Sequence, residues 1–200
     1  MYLISKRIFD LFFSGIFSIV FFPIIFLFGL WVVLDSPGPM FIFQERMGKN
    51  QKPFKLIKIR SMKVNSAQSG LLTIGNHDQR ITKIGYFLRK YKLDELPQLW
   101  NVFVGQMSIV GPRPEVKKYV DLYTEDQKKV FSFRPGITDV SSIFYSKESE
   151  ILAQQADPET HYKEVILPHK LQLSLNYLSK ANFWTDLGII IKTLQLFYKR

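Results

Sequence analysis

An uncharged and mostly apolar segment of 24 residues, Leu11 to Leu34, constrains this chain more than any other feature. As a helix it would be about 36 Å long at 1.5 Å per residue, which exceeds the roughly 30 Å hydrocarbon core of a bilayer. A helix in a soluble core is rarely apolar on every face. The segment is also longer than the apolar part of a secretion signal, and no small-residue cleavage site follows it. The sequence therefore predicts a membrane-inserted N-terminal helix.

The flanking charges and one proline bear on how this helix enters the membrane. Lys6 and Arg7 precede the segment, and most of the net charge of +10 follows it, so both flanks are basic. Basic flanks prefer the cytoplasmic side, and a re-entrant hairpin keeps both of them there. Pro23 lies at the middle of the segment and would kink the helix, with the Ser18 hydroxyl as a candidate partner for the freed carbonyl of Ile19. We expect a re-entrant helix; a spanning helix is the alternative, since many spanning helices also contain proline.

The rest of the chain fits one further domain. Two hundred residues suit one domain plus an anchor, and we predict an anchoring re-entrant helix at 1–36 and a domain at 37–200. The absence of cysteine excludes a disulfide framework and a thiolate metal site. No GxGxxG or P-loop motif occurs, so neither a dinucleotide-binding fold nor a P-loop NTPase is indicated. The excess of Lys and Arg predicts a polyanionic partner: phosphates, anionic lipid or nucleic acid.

Hydrophobic periodicity predicts an α+β fold that is mainly helical. The predicted elements are a small β-hairpin of two strands near 40–45 and 54–60, and helices over 81–92, after Glu95, over 116–133 and on either side of 179–182. The last helix carries an apolar stripe and is amphipathic. It would either pack in the core or lie on the membrane as an interfacial helix, with Trp184 at the depth of the lipid headgroups.

Two adjacent carboxylates, Asp94 and Glu95, precede a mostly apolar run in this strongly basic chain. One interpretation is structural, because Asp is a good helix N-cap and Pro is tolerated in a first helical turn. The other is chemical, because the chain also supplies cations whose side chains match phosphate oxygens. These cations are Lys58, Arg60, Arg89, Arg113 and Arg134, of which the first two share one face of a predicted strand. A carboxylate among them could attack a phosphate, or bind Mg²⁺ together with it.

Several motifs, taken in order, resemble those of the monotopic polyprenol-phosphate phosphoglycosyl transferases, which are the bacterial sugar transferases. They are KRIFD at 6–10, KIRSM at 58–62, DELPQLWN at 94–101, MSIVGPRP at 107–114 and RPGIT at 134–138. The resemblance extends over nearly the whole chain. It implies transfer of a sugar 1-phosphate from a UDP-sugar to undecaprenyl phosphate, giving undecaprenyl-diphosphate-sugar and UMP. It also implies a re-entrant helix in the bacterial inner membrane, with the catalytic domain at 37–200 on the cytoplasmic face.

The resemblance implies roles for individual residues as well. Asp94 matches the aspartate that attacks the β-phosphate, forms a covalent phosphosugar intermediate and binds the required Mg²⁺. Glu95 matches a glutamate linked to proton transfer from the lipid phosphate. The residues that match positions linked to phosphate and nucleotide binding are Lys58, Arg60, Arg113 and Arg134.

Two departures from the family pattern leave details open. Phe22 precedes Pro23, where many members have serine, so the geometry of the hairpin is not fixed by the resemblance. The run Asp139-Val140-Ser141-Ser142 follows RPGIT, where many members have Gly and an aromatic residue, which leaves the local contacts and the choice of sugar open.

Two other functions compete with the transferase. One is a non-catalytic, basic, membrane-anchored protein that binds anions, and the other is a hydrolase that passes the phosphosugar to water. For the transferase we expect a UDP-sugar, polyprenol phosphate and membrane lipid as partners, no nucleic acid, and a homodimer as a candidate assembly. The sequence does not name the sugar.

Overall fold

The computed structural model describes residues 2–66, 70–75 and 78–198. In chain order, the elements are α1 (Tyr2–Asp35), β1 (Phe41–Met47), β2 (Pro53–Ile59), α2 (Lys83–Lys90), α3 (Gln98–Phe103), β3 (Ser108–Val110), α4 (Lys117–Val120), β4 (Gly136–Thr138), α5 (Val140–Phe144), α6 (Glu148–Ala153), α7 (Pro158–His161), α8 (Leu167–Ser179) and α9 (Phe183–Tyr198). Short 3₁₀ segments lie at Lys49–Gln51, Leu93–Glu95 and Gln127–Ser132, and a π-helical segment, Tyr162–Ile166, leads into α8. The predicted architecture, mainly helical with a small β-hairpin, is confirmed.

Helix α1 is long and apolar enough to cross a membrane, and little of its apolar surface is buried. Pro23 lies inside the helix, and side chains near it project outward, with Ile19 77% and Phe22 66% exposed. The Ser18 hydroxyl is buried and has no hydrogen-bond partner among the described residues, so the predicted bond to the Ile19 carbonyl is wrong. Helical side chains lean toward the N-terminus and serine hydroxyls bond three or four residues back, away from the carbonyl of the next residue.

The N-terminal turns of α1 are fixed to the body of the protein, which consists of the short elements from β1 to α9. The Arg7 guanidinium donates to the backbone carbonyls of Val102 at 2.7 Å and Phe103 at 3.0 Å, at the end of α3. The Lys6 ammonium forms a 2.6 Å ion pair with Asp186 of α9, and both side chains are buried. Since the charged turn of α1 is satisfied by the body, it lies against protein rather than free in solvent.

The C-terminal turns of α1 pack on the same body. Val32 is fully buried in a hydrophobic cluster with Ile59 of β2 and Leu88 of α2. The Arg60 guanidinium donates to Ser36 and to backbone carbonyls between Val32 and Pro39, where α1 ends. Both ends of α1 are therefore docked, while its middle is exposed. The predicted boundary between 1–36 and 37–200 stays a prediction.

Strands β1 and β2 form the predicted antiparallel hairpin, in register from Phe41 opposite Ile59 to Met47 opposite Pro53. The tip of the hairpin is the 3₁₀ segment Lys49–Gln51. Lys58 lies one residue before the end of β2, so the hairpin places its side chain beside Asp94 and Glu95, the carboxylate dyad.

A second sheet, which the sequence analysis did not predict, pairs β3 with β4 in parallel. Each strand has only three residues and borders Gly or Pro, so neither segment carries the alternation that predicts a strand. A Cβ atom on Gly136 would lie 2.2 Å from the nitrogen of Gly111, so this close approach of two backbones requires glycine. The pairing places Arg113, two residues after Gly111, at a fixed position beside β4.

The helix predicted over 116–133 is wrong in its extent, because it is divided into α4 and the 3₁₀ segment Gln127–Ser132. The backbone nitrogen of Thr124 donates to the Gln127 side chain at 2.9 Å, and the nitrogen of Gln127 donates to the Thr124 hydroxyl at 3.3 Å. This reciprocal pair is a capping box, which begins a new helical segment. The predicted helix over 81–92 and the break between the last two helices are confirmed by α2, α8 and α9.

The largest hydrophobic core lies among the C-terminal elements and supports the loop that carries Arg113. Its fully buried members include Tyr119, Leu152, Tyr162 and Ile166. The Tyr162 hydroxyl donates to Glu115 at 2.6 Å, and Arg46 of β1 pairs with the same carboxylate at 3.2 Å. Glu115 thus ties the end of this loop to the hairpin and to the core.

Candidate active site

Asp94 and Glu95 lie in the 3₁₀ segment Leu93–Glu95, ahead of α3. Lys92, just before it, has a φ of 56° in the left-handed region, a conformation that is uncommon for residues other than glycine and often found at functional sites. Helix α3 begins after Pro97, where no side chain forms a capping hydrogen bond. The interpretation of the pair as a helix cap is therefore wrong. Both side chains are buried instead, with Asp94 4% and Glu95 9% exposed.

Two cations bind Glu95. The Lys58 ammonium lies 2.9 Å and the Arg113 guanidinium 3.0 Å from the same oxygen, Oε1. Burial by itself would raise the pKa of Glu95, but Lys58, Arg113 and Lys92 together lower that pKa well below its ordinary value. In return, the Glu95 carboxylate raises the pKa of Arg113. Glu95 is therefore ionised at neutral pH and held in one orientation.

Asp94 has very different surroundings. The Ser61 hydroxyl lies 3.4 Å from Oδ2, and the other oxygen, Oδ1, is buried with no hydrogen-bond partner among the described residues. Burial raises the pKa of Asp94, and the Glu95 charge adds to that rise, while Lys58, Arg89 and Lys92 oppose it. An unpaired buried polar atom costs about 1–3 kcal/mol of stability. The fold therefore keeps Asp94 Oδ1 unbound at a cost, which is typical of a reactive group.

The two neighbouring carboxylates thus have pKa values displaced in opposite directions by their surroundings. Such a separation is common in sites that use two acids for different tasks. Glu95 is an ionised carboxylate that is paired with Lys58 and Arg113, whereas Asp94 Oδ1 has no hydrogen-bond partner among the described residues and lies near several cations. This arrangement suits a nucleophile that must approach a negatively charged group.

Of the other predicted cations, Arg89 lies close to the dyad, but Arg60 and Arg134 do not contact it. Arg89, in the last turn of α2, donates to the Thr73 hydroxyl at 2.7 Å and is near enough to lower the pKa of Asp94. Arg60 is 1% exposed, and its guanidinium is occupied by the end of α1. Arg134 donates from Nε to the carbonyl of Gly105 at 2.8 Å, beyond the far end of α3. Binding of substrate phosphate beside Asp94 and Glu95 by Arg60 or Arg134 stays a prediction that this geometry does not support.

Asn101 is a positioning residue that the sequence analysis missed, although it lies within the DELPQLWN motif. Its side-chain oxygen accepts from the backbone nitrogen of Ile57 at 3.1 Å, and its nitrogen donates to the carbonyl of Lys55 at 2.8 Å. These bonds fix α3 to β2, so they set the distance between Lys58 and the dyad. Ser61, next to Asp94, was likewise missed within KIRSM; a polar residue that directly follows a strand was the available signal.

The run Asp139-Val140-Ser141-Ser142 forms the start of α5. Asp139 is its N-cap and accepts from the backbone nitrogen of Ser142 at 2.8 Å and from the Ser141 hydroxyl at 2.5 Å. This departure from the family pattern therefore builds a helix cap. Its charge also contributes to the raised pKa of Arg113, so the departure lies electrostatically close to the candidate site.

Asp94 Oδ1 is the atom of this site that could bind a metal ion. The described residues contain no group of three or more His, Cys, Asp or Glu side chains with metal-binding geometry. A metal here would therefore have to take most of its ligands from a substrate or from water.

A family model described as bacterial sugar transferase matches residues 1–200 of this chain. An Aeromonas hydrophila protein named UDP-N-acetylgalactosamine-undecaprenyl-phosphate N-acetylgalactosaminephosphotransferase is 32% identical over 200 residues, which cover 98% of this chain and 44% of that protein. A Caulobacter vibrioides protein named UDP-glucose:undecaprenyl-phosphate glucose-1-phosphate transferase is 29% identical over 194 residues, covering 96% and 68%. An Escherichia coli (strain K12) protein of the same name is 33% identical over 192 residues, covering 94% and 39%. The chain thus spans less than half the length of two of these relatives.

Proposed function

The chain belongs to the bacterial sugar transferase family, and we propose that it transfers a sugar 1-phosphate from a UDP-sugar to undecaprenyl phosphate. The products are undecaprenyl-diphosphate-sugar and UMP. The proposal rests on the buried Oδ1 atom of Asp94, which has no hydrogen-bond partner among the described residues, beside a Glu95 that two cations bind. The names of the relatives support both substrates, because each name gives a UDP-sugar and undecaprenyl phosphate.

In the first step, Asp94 Oδ1 attacks the β-phosphorus of the UDP-sugar. A bond forms between this oxygen and phosphorus, and the bond from the β-phosphorus to the bridging oxygen breaks, so UMP leaves with that electron pair. The sugar phosphate is then bound to Asp94 as an acyl phosphate. In the second step an oxygen of undecaprenyl phosphate attacks the same phosphorus, and the Asp94 carboxylate is released.

The cations offset the charge of the two reacting phosphates. The Arg113 side chain is 35% exposed and the Lys58 side chain 14% exposed. Both therefore reach the solvent-accessible rim of the site and can turn from Glu95 toward a phosphate there. Arginine can donate two parallel bonds to phosphate oxygens, and Arg89 adds charge from α2. Because Asp94 Oδ1 is shielded from water, access by a phosphate requires side-chain movement at this rim, which also limits hydrolysis of the acyl phosphate.

We assign Glu95 mainly a positioning role. A carboxylate whose pKa is held well below its ordinary value is a weak base at neutral pH, and a phosphate monoester with a second pKa of about 6 is already mostly doubly ionised there. Glu95 instead keeps Lys58 and Arg113 beside Asp94. Its proton-transfer role therefore contributes only where the lipid phosphate still carries a proton.

Mg²⁺ fits the donor set as a cofactor that the substrate helps to bind. Mg²⁺ prefers hard oxygen ligands and often uses one or two carboxylates together with substrate phosphates. The Asp94 carboxylate, which has no ion pair among the described residues, would supply that chemistry. When bound, the ion would neutralise the diphosphate and stabilise the leaving UMP.

We propose that α1 is re-entrant, with the active site on the cytoplasmic face of the inner membrane. Both ends of α1 pack on one body, and a straight helix that crossed a bilayer would carry its two ends to opposite sides. The exposed middle around Pro23 would lie in the lipid. Single cysteines at Ile4 and Asn50, both exposed, test this in a chain without native cysteine. An impermeant thiol reagent should label neither site in intact cells and both after permeabilisation; labelling of one site alone from outside contradicts the proposal.

Exposed aromatic and aliphatic side chains support an interfacial membrane surface around α1. On α9, Trp184 is 75% and Leu194 62% exposed, and on α3, Trp100 is 53% exposed. Tryptophan at the ends of apolar surfaces is typical of the membrane interface. Of the two interpretations of the last helix, this exposure favours the interfacial one. A homodimer stays a prediction.

The test of the proposed function is UMP release by detergent-extracted protein with Mg²⁺, undecaprenyl phosphate and a panel of UDP-sugars. We expect UMP from one sugar, dependent on the lipid and abolished in Asp94→Asn. Asp121→Asn is the matched control, because that carboxylate is exposed and, among the residues that the structure describes, pairs only with Lys117. Steady UMP release without lipid would instead indicate the hydrolase. No UMP from a folded protein that binds lipid in a salt-dependent way would indicate the anion-binding protein.

A further inference from the structure

A second basic cavity lies at the N-terminal end of α1, away from the carboxylate dyad. Its lining includes four cations and one carboxylate, namely Lys6, Arg7, Lys49, Arg134 and Asp10, together with Leu3, Ser108, Ser132 and Phe133. Asp186, bonded to Lys6, supplies a second negative charge. The immediate surroundings therefore keep a net charge of +2, which the described residues leave without a counterion.

Two of the cations that line the cavity have donor atoms without a partner among the described residues. Arg134 uses Nε for the carbonyl of Gly105, and neither of its terminal nitrogens has a hydrogen-bond partner among the described residues. Lys49, at the tip of the hairpin, likewise forms no ion pair or hydrogen bond through its ammonium within the described part of the chain. Arg7 is oriented by the carbonyls of Val102 and Phe103. An arginine fork beside an ammonium is the donor arrangement that matches phosphate oxygens.

This cavity is separate from the proposed active site. Asp94 precedes α3, whereas Arg7 and Arg134 both contact backbone carbonyls at or beyond its far end. Helix α3 has six residues, so its length alone separates the two places by about 9 Å at 1.5 Å per residue. A phosphate held by Arg134 and Lys49 would not be in reach of Asp94 Oδ1.

We propose that the cavity is a second anion site, which takes a phosphate ester and is distinct from the site of sugar-phosphate transfer. A lipid headgroup is the source that the surroundings favour, because Leu3 lines the cavity and is 52% exposed. Arg7 and Leu11 follow Leu3 at intervals of four residues on the same face of α1, and Leu11 is 38% exposed. An acyl chain could therefore run from the cavity toward the apolar middle of α1. The site would hold the N-terminal end of the membrane helix to the anionic lipid surface.

The test compares two single variants of the full chain in uncharged detergent. Lys49→Gln removes a cation that lines the cavity, and Lys52→Gln removes one that is exposed on the same hairpin and outside the lining. Each protein is titrated with dihexanoyl phosphatidylglycerol and, separately, with glycerol 3-phosphate, and the bound fraction is measured by native mass spectrometry. We expect Lys49→Gln to weaken binding of the lipid about tenfold, as for loss of one hydrogen bond to a charged group, and Lys52→Gln to change it less than about twofold.

The two probes separate the sources of the phosphate. Lipid binding that is at least tenfold tighter than glycerol 3-phosphate binding identifies a membrane headgroup, and equal affinities that both depend on Lys49 identify a free phosphate ester at the same site. Equal effects of Lys49→Gln and Lys52→Gln, or no effect of either, would overturn the proposal. UMP release by Lys49→Gln should match the wild type in detergent, so a failure of this site is distinguishable from a failure of the proposed transferase activity.

Discussion

Arg60 offers the sharpest test of this structure, because the motif and the geometry assign it different tasks. As part of KIRSM it was predicted to bind substrate phosphate. In the structure its guanidinium donates to the carbonyls of Pro39 and Ser36 at 2.7 Å and of Pro37 at 3.0 Å, with longer contacts to Val32 and Gly38. The Val32 carbonyl lies in the last turn of α1, where the helix dipole is negative, and the other carbonyls belong to the residues that directly follow the helix. Arg60 therefore fixes α1 to the body.

The magnitude of an Arg60→Lys change follows from these bonds. Lysine keeps the charge but is a point donor that cannot span carbonyls on several sides. At least two of the three short bonds should be lost, and each hydrogen bond from a charged donor contributes about 1.5–3 kcal/mol. We expect a loss near 3 kcal/mol, which corresponds to roughly 6–12 °C in Tm for a protein of this size.

The assay is thermal unfolding in detergent followed by tryptophan fluorescence, combined with UMP kinetics below the transition. Arg89→Lys is the matched control, because within the described ranges Arg89 forms one side-chain bond, to Thr73. We expect Arg60→Lys to lower Tm with an unchanged KM for the UDP-sugar, and Arg89→Lys to raise KM with little change in Tm. An Arg60→Lys protein with wild-type Tm and a raised KM would refute the structural role and restore the phosphate-binding prediction.

Three further predictions concern the dyad and the docking of α1. Asp94→Asn should abolish UMP release without lowering Tm at pH 7. Burial raises the pKa of Asp94, so above that pKa the ionised Asp94 disfavours the folded state, and any gain in Tm from Asn should fade as the pH falls toward 4. A clear loss of Tm at pH 7 would contradict this. Lys58→Gln removes a cation that lowers the pKa of Asp94, so the acid limb of the pH profile of kcat/KM should move to higher pH; a limb that stays in place would exclude Asp94 as its source. Asp186→Asn breaks the buried pair with Lys6 and should cost about 3–5 kcal/mol, whereas Tyr177→Phe, which removes one hydroxyl bond to Asp186, should cost about 1 kcal/mol, both measured as shifts in Tm.

Features that depend on neighbours along the chain were predictable. The length of the apolar segment is a local property, and so are the alternation of the hairpin and the helical spacing of α2, α8 and α9. The dyad itself followed from its place in a motif. The short parallel pair β3–β4 was not predictable in this way, because three residues beside Gly and Pro carry no periodicity. The break in the helix after α4 was not predicted, because Thr124 and Gln127 were not interpreted as a capping box.

The sequence alone determined that this chain has a helix long and apolar enough to cross a membrane and an acidic pair within a basic protein, since length, apolarity and charge are carried by the residues themselves. Only the tertiary structure decided which cations meet the pair. Lys58 and Arg60 were expected to project together, but β2 ends at Ile59, and the two-residue alternation applies only while a strand continues. Lys58 therefore turns to Glu95, while Arg60 turns to the end of α1. The opposite pKa shifts of Asp94 and Glu95 have the same origin, because burial and partner distance exist only after distant segments have packed.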